Sequence, residues 1–317
     1  MTKVAVTSRT FSCSSTLRKE LLAIYPDCTF NDARKNLEGD ELVDFLRGHQ
    51  KAIIALNPID KKLLAALPEL EVIAKFGVGF DQLDLQAMIE HGVRLGWEGG
   101  VNRRSVSELV VGLSILLLRK IKLATRMVSS GTWKQVNGRQ LSDCTVGIIG
   151  CGYIGKDLGR ILRNGFNCRV LAHDIRPFPE YYKETGVEPV ALDILINTSD
   201  IVTLHLPYDS STKNILDRKR LAKIKHAAIL INTARSGLVN ESALKTLLKS
   251  GKLGGVAFDV FSVEPPDDPE LLSLENFVLT PHIGGSTKES ILNMGRAAIR
   301  GLQQNHTPKK GLFPVGF

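Results

Sequence analysis

The sequence predicts an α/β chain in two parts, each built on a doubly wound parallel sheet. Three observations lead there. Short runs of β-forming apolar residues alternate with helix-periodic stretches, as βαβ units require. One of those runs enters a glycine fingerprint that opens a helix. Finally, 317 residues exceed one comfortable domain.

The elements follow in order. Val4-Ala5-Val6, Ala52 to Leu56 and Val72 to Ala74 read as short buried strands separated by helical stretches, a half without a glycine fingerprint. Leu109 to Leu118 is the most apolar run, interrupted by Gly112 and Ser114. A membrane span needs about 20 residues, so a buried helix is expected there, as a domain connector or part of a subunit interface. Thr145 to Ile149 is a short apolar, β-rich run, as a parallel strand covered on both faces should be. It feeds Gly150-Cys151-Gly152-Tyr153-Ile154-Gly155, and Lys156 to Arg163 then has helical periodicity. Glycines in this order let the backbone approach a pyrophosphate at a helix N-terminus. A further strand, Val170 to His173, ends at Asp174, 19 residues after Gly155 (174 − 155). An acidic residue there accepts hydrogen bonds from a ribose and repels a 2′-phosphate, which favours NAD over NADP, with Arg176 pulling the other way.

Three later residues supply a reaction. Arg235 follows the buried strand Ile229-Leu230-Ile231 and so stands at the carboxyl end of a parallel sheet, where such folds bind ligands. Its guanidinium can grip a carboxylate or a carbonyl oxygen. His282, in Thr280-Pro281-His282-Ile283-Gly284-Gly285, is the candidate proton donor. Glu264, before Pro265-Pro266, is its candidate carboxylate partner, which favours the protonated ring and fixes its orientation. Clamp, polariser and proton are what hydride reduction of a 2-keto acid needs.

These stretches resemble the D-isomer-specific 2-hydroxyacid dehydrogenase family, most closely its phosphoglycerate dehydrogenase branch. The resemblance runs from about Ala52 to Leu302. It rests on Lys75-Phe76-Gly77-Val78-Gly79-Phe80-Asp81, Asn102 to Leu109, the glycine loop, Leu204-His205-Leu206-Pro207, Asn232 to Gly237, Asp259 to Pro266 and Pro281 to Thr287. It implies two Rossmann-like domains, one doubly wound and NAD-binding, the other flavodoxin-like and substrate-binding, with the active site in the cleft. The substrate domain would be discontinuous, residues 1–101 and 290–317, around a cofactor domain of residues 102–289. By the same resemblance Arg235, Glu264 and His282 are catalytic, and Arg235 and His282 also bind substrate with Gly77, Val78 and Gly79. The cofactor set would be Gly150, Gly152, Tyr153, Ile154, Gly155, Asp174, His205, Pro207, Thr233, Ala234, Asp259 and Gly284. Ile154 would contact phosphate through its amide, Asp174 the ribose, and Asp259 the nicotinamide amide. A homodimer acting in the cytoplasm on a small anionic 2-hydroxy or 2-keto acid is also implied.

One departure concerns the substrate. In the phosphoglycerate branch an arginine after the strand matching Ala52 to Leu56 helps hold the phosphate, and here that position is Asn57, followed by Pro58. Arg9, Lys75, Arg103 and Arg104 are the candidate substitutes. The chain reaches Phe317 without the additional regulatory domains many members of that branch carry. Two other readings use the same scaffold: an NAD(H)-sensing corepressor, which expects peptide-docking surfaces or long tails, and oxidation of another hydride donor such as phosphite. Formate dehydrogenases resemble this fold but place Gln where Glu264 stands.

Composition sets bounds. The net charge of +8 comes from scattered basic residues, dense only in Asp217 to His226, where no aromatic stacking surface accompanies them. A solvated helix face is therefore expected there rather than a nucleic-acid site. The excess charge also suits an anionic dinucleotide and acid. Cys13, Cys28, Cys144, Cys151 and Cys168 form no disulfide framework or metal-ligand spacing. Cys151 lies inside the glycine loop, either as a thiol sharpened by the helix terminus or as a small filler. No signal-like segment precedes the first strand, so a cytoplasmic enzyme without metal or membrane partner is expected.

Overall fold

A computed structural model describes residues 1–309. The chain forms two units, Met1–Asn102 with the chain from Gly285 onward, and Arg103–Gly284. The second crossing falls at Gly285 rather than at 290, because Thr287 is the N-cap of the Lys288–Gly301 helix and travels with it.

The first unit holds β1 (Val4–Val6), β2 (Cys28–Phe30), β3 (Lys51–Ile54), β4 (Val72–Lys75) and β5 (Arg94–Gly96). They are parallel, in the order β2-β1-β3-β4-β5. That is the flavodoxin-like order, with the chain turning back beside β1. Leu42, Leu46, Leu64 and Met88 belong to one core cluster, Phe11, Leu17 and Ala298 to another. The expected strand through Leu56 is shorter: β3 stops at Ile54, and Leu56 is 66% exposed. The closing helix, Lys288–Gly301, ends at Gly301. There it lies against β5 so closely that a Cβ on Gly96 would stand 2.1 Å from the Gly301 carbonyl oxygen.

The second unit holds β6 (Thr145–Ile149), β7 (Arg169–His173), β8 (Glu188–Pro189), β9 (Ile201–Leu204), β10 (Ala228–Asn232), β11 (Leu253–Phe258) and β12 (Phe277–Leu279). Their order is β12-β11-β10-β9-β6-β7-β8, again parallel. The sheet grows outward in both directions from the β6/β9 pair, so the loops after those strands part and leave a crevice at their carboxyl ends. The apolar run belongs to one long helix, Arg103–Leu118, whose Val110, Leu113 and Leu118 share a core with Val146, Ile148 and Ile231. Among the described residues no helix is long and apolar enough to cross a membrane. The basic stretch forms the short Arg218–Lys223 helix, capped by Asp217. Arg220 and Lys223 pair with Asp193 and Lys225 with Asp200, while Arg218 and Lys219 are exposed, as on a solvated helix face.

Candidate active site

The glycine loop joins β6 to the Tyr153–Phe166 helix. Each glycine has its own reason. Gly150 takes φ +98°, and a Cβ there would meet the His205 carbonyl oxygen at 2.4 Å. At Gly155 a Cβ would lie 2.1 Å from the Gly150 carbonyl oxygen, so only glycine lets the helix close on the loop. At Gly152 a Cβ would meet nothing within 4 Å, which marks the open side. Gly152 is the N-cap without a side-chain hydrogen bond, and the amides of Gly152, Tyr153 and Ile154 donate to no group among the described residues. Amides aimed outward from a helix N-terminus fit a pyrophosphate.

Asp174 follows β7, with its Oδ2 accepting from the Cys151 amide at 2.7 Å and its Oδ1 from the Arg176 amide at 2.9 Å. The carboxylate is thus fixed beside the glycine loop and retains lone pairs for ribose hydroxyls. Cys151 is fully buried, and burial pushes its thiol up to about 11. The cysteine is therefore the small filler and not a reactive thiolate. After β9, burial pushes the His205 imidazole down to about 3, so the ring is neutral. Its Nε2 lies 3.0 Å from Thr203 Oγ1, while Nδ1 and the Thr233 hydroxyl are buried polar atoms with no partner among the described residues. Two orphaned polar groups at the ends of adjacent strands also fit a polar cofactor.

Arg235, Glu264 and His282 follow β10, β11 and β12, three neighbouring strands. Adjacency in the sheet gathers residues that are far apart in sequence. Glu264 receives the Phe261 amide at 3.1 Å, and His282 Nδ1 lies 3.2 and 3.1 Å from its two carboxylate oxygens. Both side chains are nearly half exposed, 46% for His282 and 43% for Glu264. With Nδ1 turned to Glu264, Nε2 is the ring nitrogen left for a substrate.

His282 sits at φ +54°, the left-handed region, which costs a β-carbon-bearing residue about 1–2 kcal/mol. Asp259, 1% exposed, holds it there. Its Oδ1 accepts from Thr280 Oγ1 at 2.6 Å and from the Ile283 amide at 2.8 Å, and its Oδ2 from the Gly284 amide at 2.8 Å. Ser105 Oγ adds a bond to the Gly284 carbonyl at 2.6 Å. Asn232, fully buried, does the same for Arg235: its Oδ1 takes the Ala234 amide at 3.0 Å and its Nδ2 donates to the Arg235 carbonyl at 2.7 Å. Sequence reasoning missed both clamps. The only signal was a polar residue closing an otherwise apolar strand.

In the first unit, Gly77, Val78 and Gly79 follow β4, with Gly77 at φ +114°. Their amides donate to no group among the described residues, as amides left open for an anion would. Asn57, by contrast, is turned inward. Its Oδ1 accepts from Thr7 Oγ1 at 2.5 Å and its Nδ2 donates to the Leu37 carbonyl at 3.0 Å. Of the proposed substitute cations, Lys75 is buried with its ammonium bonded to the Ala55 carbonyl, and Arg104 is paired with Asp157.

Residues 111–284, more than half of the chain, match the model of the D-isomer specific 2-hydroxyacid dehydrogenase NAD-binding domain. The chain belongs to this family. It is 36% identical to the hydroxypyruvate reductase of Thermotoga maritima, over 82% of this chain and 86% of that one. It is 32% identical to the D-3-phosphoglycerate dehydrogenase of Archaeoglobus fulgidus, over 83% of this chain but only 51% of that longer one. The crystal structure of a glyoxylate reductase from Paecilomyes thermophila superposes with a TM-score of 0.82 at 27% identity, covering 95% of this chain and 94% of that one. As a D-2-hydroxyacid dehydrogenase, the protein is an NAD-dependent oxidoreductase that interconverts a 2-hydroxy acid and its 2-keto acid.

Proposed function

We propose that this dehydrogenase acts on a small unphosphorylated 2-keto acid, of the hydroxypyruvate or glyoxylate kind. The observation that carries the reading is Asn57. Where the phosphoglycerate branch has an arginine for the phosphate, Asn57 is 8% exposed and both ends of its amide are used inside the fold. The inward bond of buried Lys75 adds to this, because a phosphate needs a charge-assisted partner to offset its desolvation.

In the proposed chemistry, NAD supplies the hydride acceptor or, when reduced, the donor. Arg235 clamps the substrate and draws electron density from its carbonyl oxygen. Gly77, Val78 and Gly79 present amides to the carboxylate. His282 gives its Nε2 proton to the new hydroxyl, or takes it in the reverse direction, while Glu264 balances the imidazolium charge. The pyrophosphate is assigned to Gly150 through Gly155, with Tyr153 and Ile154 contributing through their amides. Asp174 is assigned to the ribose, and His205, Pro207, Thr233, Ala234, Asp259 and Gly284 line the remainder.

The test is the initial rate of NADH oxidation with hydroxypyruvate, glyoxylate, pyruvate and phosphohydroxypyruvate. An unphosphorylated acid should lead in kcat/KM by about a hundredfold, the scale of leaving a charged group unpaired. A lead for phosphohydroxypyruvate would overturn the assignment. A homodimer is proposed through the Ile121–Ser129 helix, none of whose residues is buried, with Ile121 43%, Val128 52% and nearby Trp133 89% exposed. Light scattering should give twice the monomer mass, and a Val128→Asp/Trp133→Asp variant should give the monomer mass.

A further inference from the structure

Behind the glycine loop lies a charge pair that the chemistry above does not use. Asp157 stands one turn into the Tyr153–Phe166 helix and is 8% exposed. Its Oδ1 accepts from Arg104 Nη2 at 2.9 Å, while its Oδ2 is buried without a hydrogen-bond partner among the described residues. Arg104 belongs to the first turn of the Arg103–Leu118 helix, and its side chain is 60% exposed against 11% for the carboxylate. The N-terminal turns of the two helices meet here, since Ser107 Oγ donates to the Ile154 carbonyl at 3.5 Å.

This placement is electrostatically awkward for a phosphate loop. Asp157 follows Tyr153 by four residues (157 − 153), about 6 Å along the axis at roughly 1.5 Å per residue. A carboxylate so near competes with any anion for the positive end of the helix. Burial keeps solvent from screening it. A cation on the carboxylate cancels that field, and a half-exposed guanidinium does so while leaving its own outer face positive.

We propose that Arg104 sets the affinity for the dinucleotide by neutralising Asp157 behind the phosphate loop. Asp157 in turn pins the guanidinium beside that loop. The inference rests on the assignment of the pyrophosphate to Gly150 through Gly155. Arg104 is a positioning residue in this account, acting through the field at the loop.

The experiment is NADH binding to the full chain, followed by fluorescence, for the parent, Arg104→Met, Asp157→Asn, the double variant and Arg104→Lys, at about 20 mM and about 500 mM NaCl. At a surface-like dielectric a unit charge about 10 Å away changes an equilibrium constant roughly tenfold. Arg104→Met should therefore raise the Kd about tenfold at low salt and less at high salt. Asp157→Asn should lower it, and the double variant should return to within about threefold of the parent, because the charges cancel pairwise. Arg104→Lys keeps the charge and should also stay within about threefold, which reads the idea even if the methionine variant folds poorly. A Kd for Arg104→Met within about twofold of the parent overturns the proposal. So does a double variant as weak as Arg104→Met, since that is a packing defect. Gly152→Val separates the underlying assignment: a side chain there obstructs the open side of the loop, so an unchanged Kd would displace the pyrophosphate from the loop altogether. A weakened Gly152→Val beside an unaffected Arg104→Met would overturn the charge pair alone.

Discussion

Replacing Asp259 by asparagine tests whether the proton donor depends on a buried clamp. The carboxylate accepts three hydrogen bonds, from Thr280 Oγ1 and from the amides of Ile283 and Gly284, and it holds His282 at φ +54°. Asparagine keeps one acceptor oxygen but sets an N–H₂ group against the Gly284 amide, donor facing donor. Losing one charge-assisted bond costs about 1.5–3 kcal/mol, and the stranded amide adds about 1–3 kcal/mol. Relaxation of the left-handed residue favours the displaced loop by about 1–2 kcal/mol more, so it does not reduce this cost. At the low end of the range the penalty for keeping His282 in place is about 3 kcal/mol, or roughly 150-fold in kcat. The assay is steady-state NADH oxidation with the best acid of the panel, alongside urea unfolding. We expect kcat to fall about a hundredfold in a folded protein. A folded variant whose kcat stays within about threefold of the parent would show that the loop holds His282 without the clamp, and the reasoning would fail.

His282→Ala should lower kcat by about a thousandfold, within the usual range for general acid–base loss, while the NADH Kd stays within about threefold. Unchanged turnover would remove His282 from its role. Asp200 provides the pH test. Burial pushes its carboxyl up, but the Lys225 ammonium, the Thr145 amide and the Arg139 guanidinium more than offset this and hold it below the ordinary range. A depressed carboxyl contributes stability that is present above the unfolded-state value, 3.8, and is lost as pH falls through the folded-state value. Asp200→Asn should therefore lower stability at neutral pH by about 1–2 kcal/mol, read from the urea midpoint, because the buried carboxylate's partners Arg139 and Lys225 are half exposed, and flatten the acid limb below about pH 4. A variant with the parent's acid limb would exclude Asp200 as its source.

Much of the fold was legible because parallel strands covered on both faces must be largely apolar. Thr145 to Ile149 and Ile229 to Ile231 therefore stood out as strands, and the glycines after β6 marked where backbone had to pass close to backbone. Ends were less legible. Nothing local distinguishes Ala55 and Leu56 from the strand before them, since it is the neighbour β4 that stops pairing at Lys75. Asn57 and Lys75 could be named from the sequence as substrate candidates, but not the direction in which they point. Thr7 and Leu37 turn one inward, and the Ala55 carbonyl holds the other.

By itself, then, the sequence determined the α/β class, the dinucleotide loop and the residue types of a keto-acid reductase. Each is written in patterns a few residues long, the scale on which strand period, turn chemistry and helix entry operate. Only the tertiary structure decided that Arg235, Glu264 and His282 follow adjacent strands, that Asp259 and Asn232 fix their loops, and that Arg104 is paired with Asp157. Those are contacts between segments tens of residues apart. They are selected by which strand finds which neighbour in the sheet, and by the need of every buried polar group for a partner.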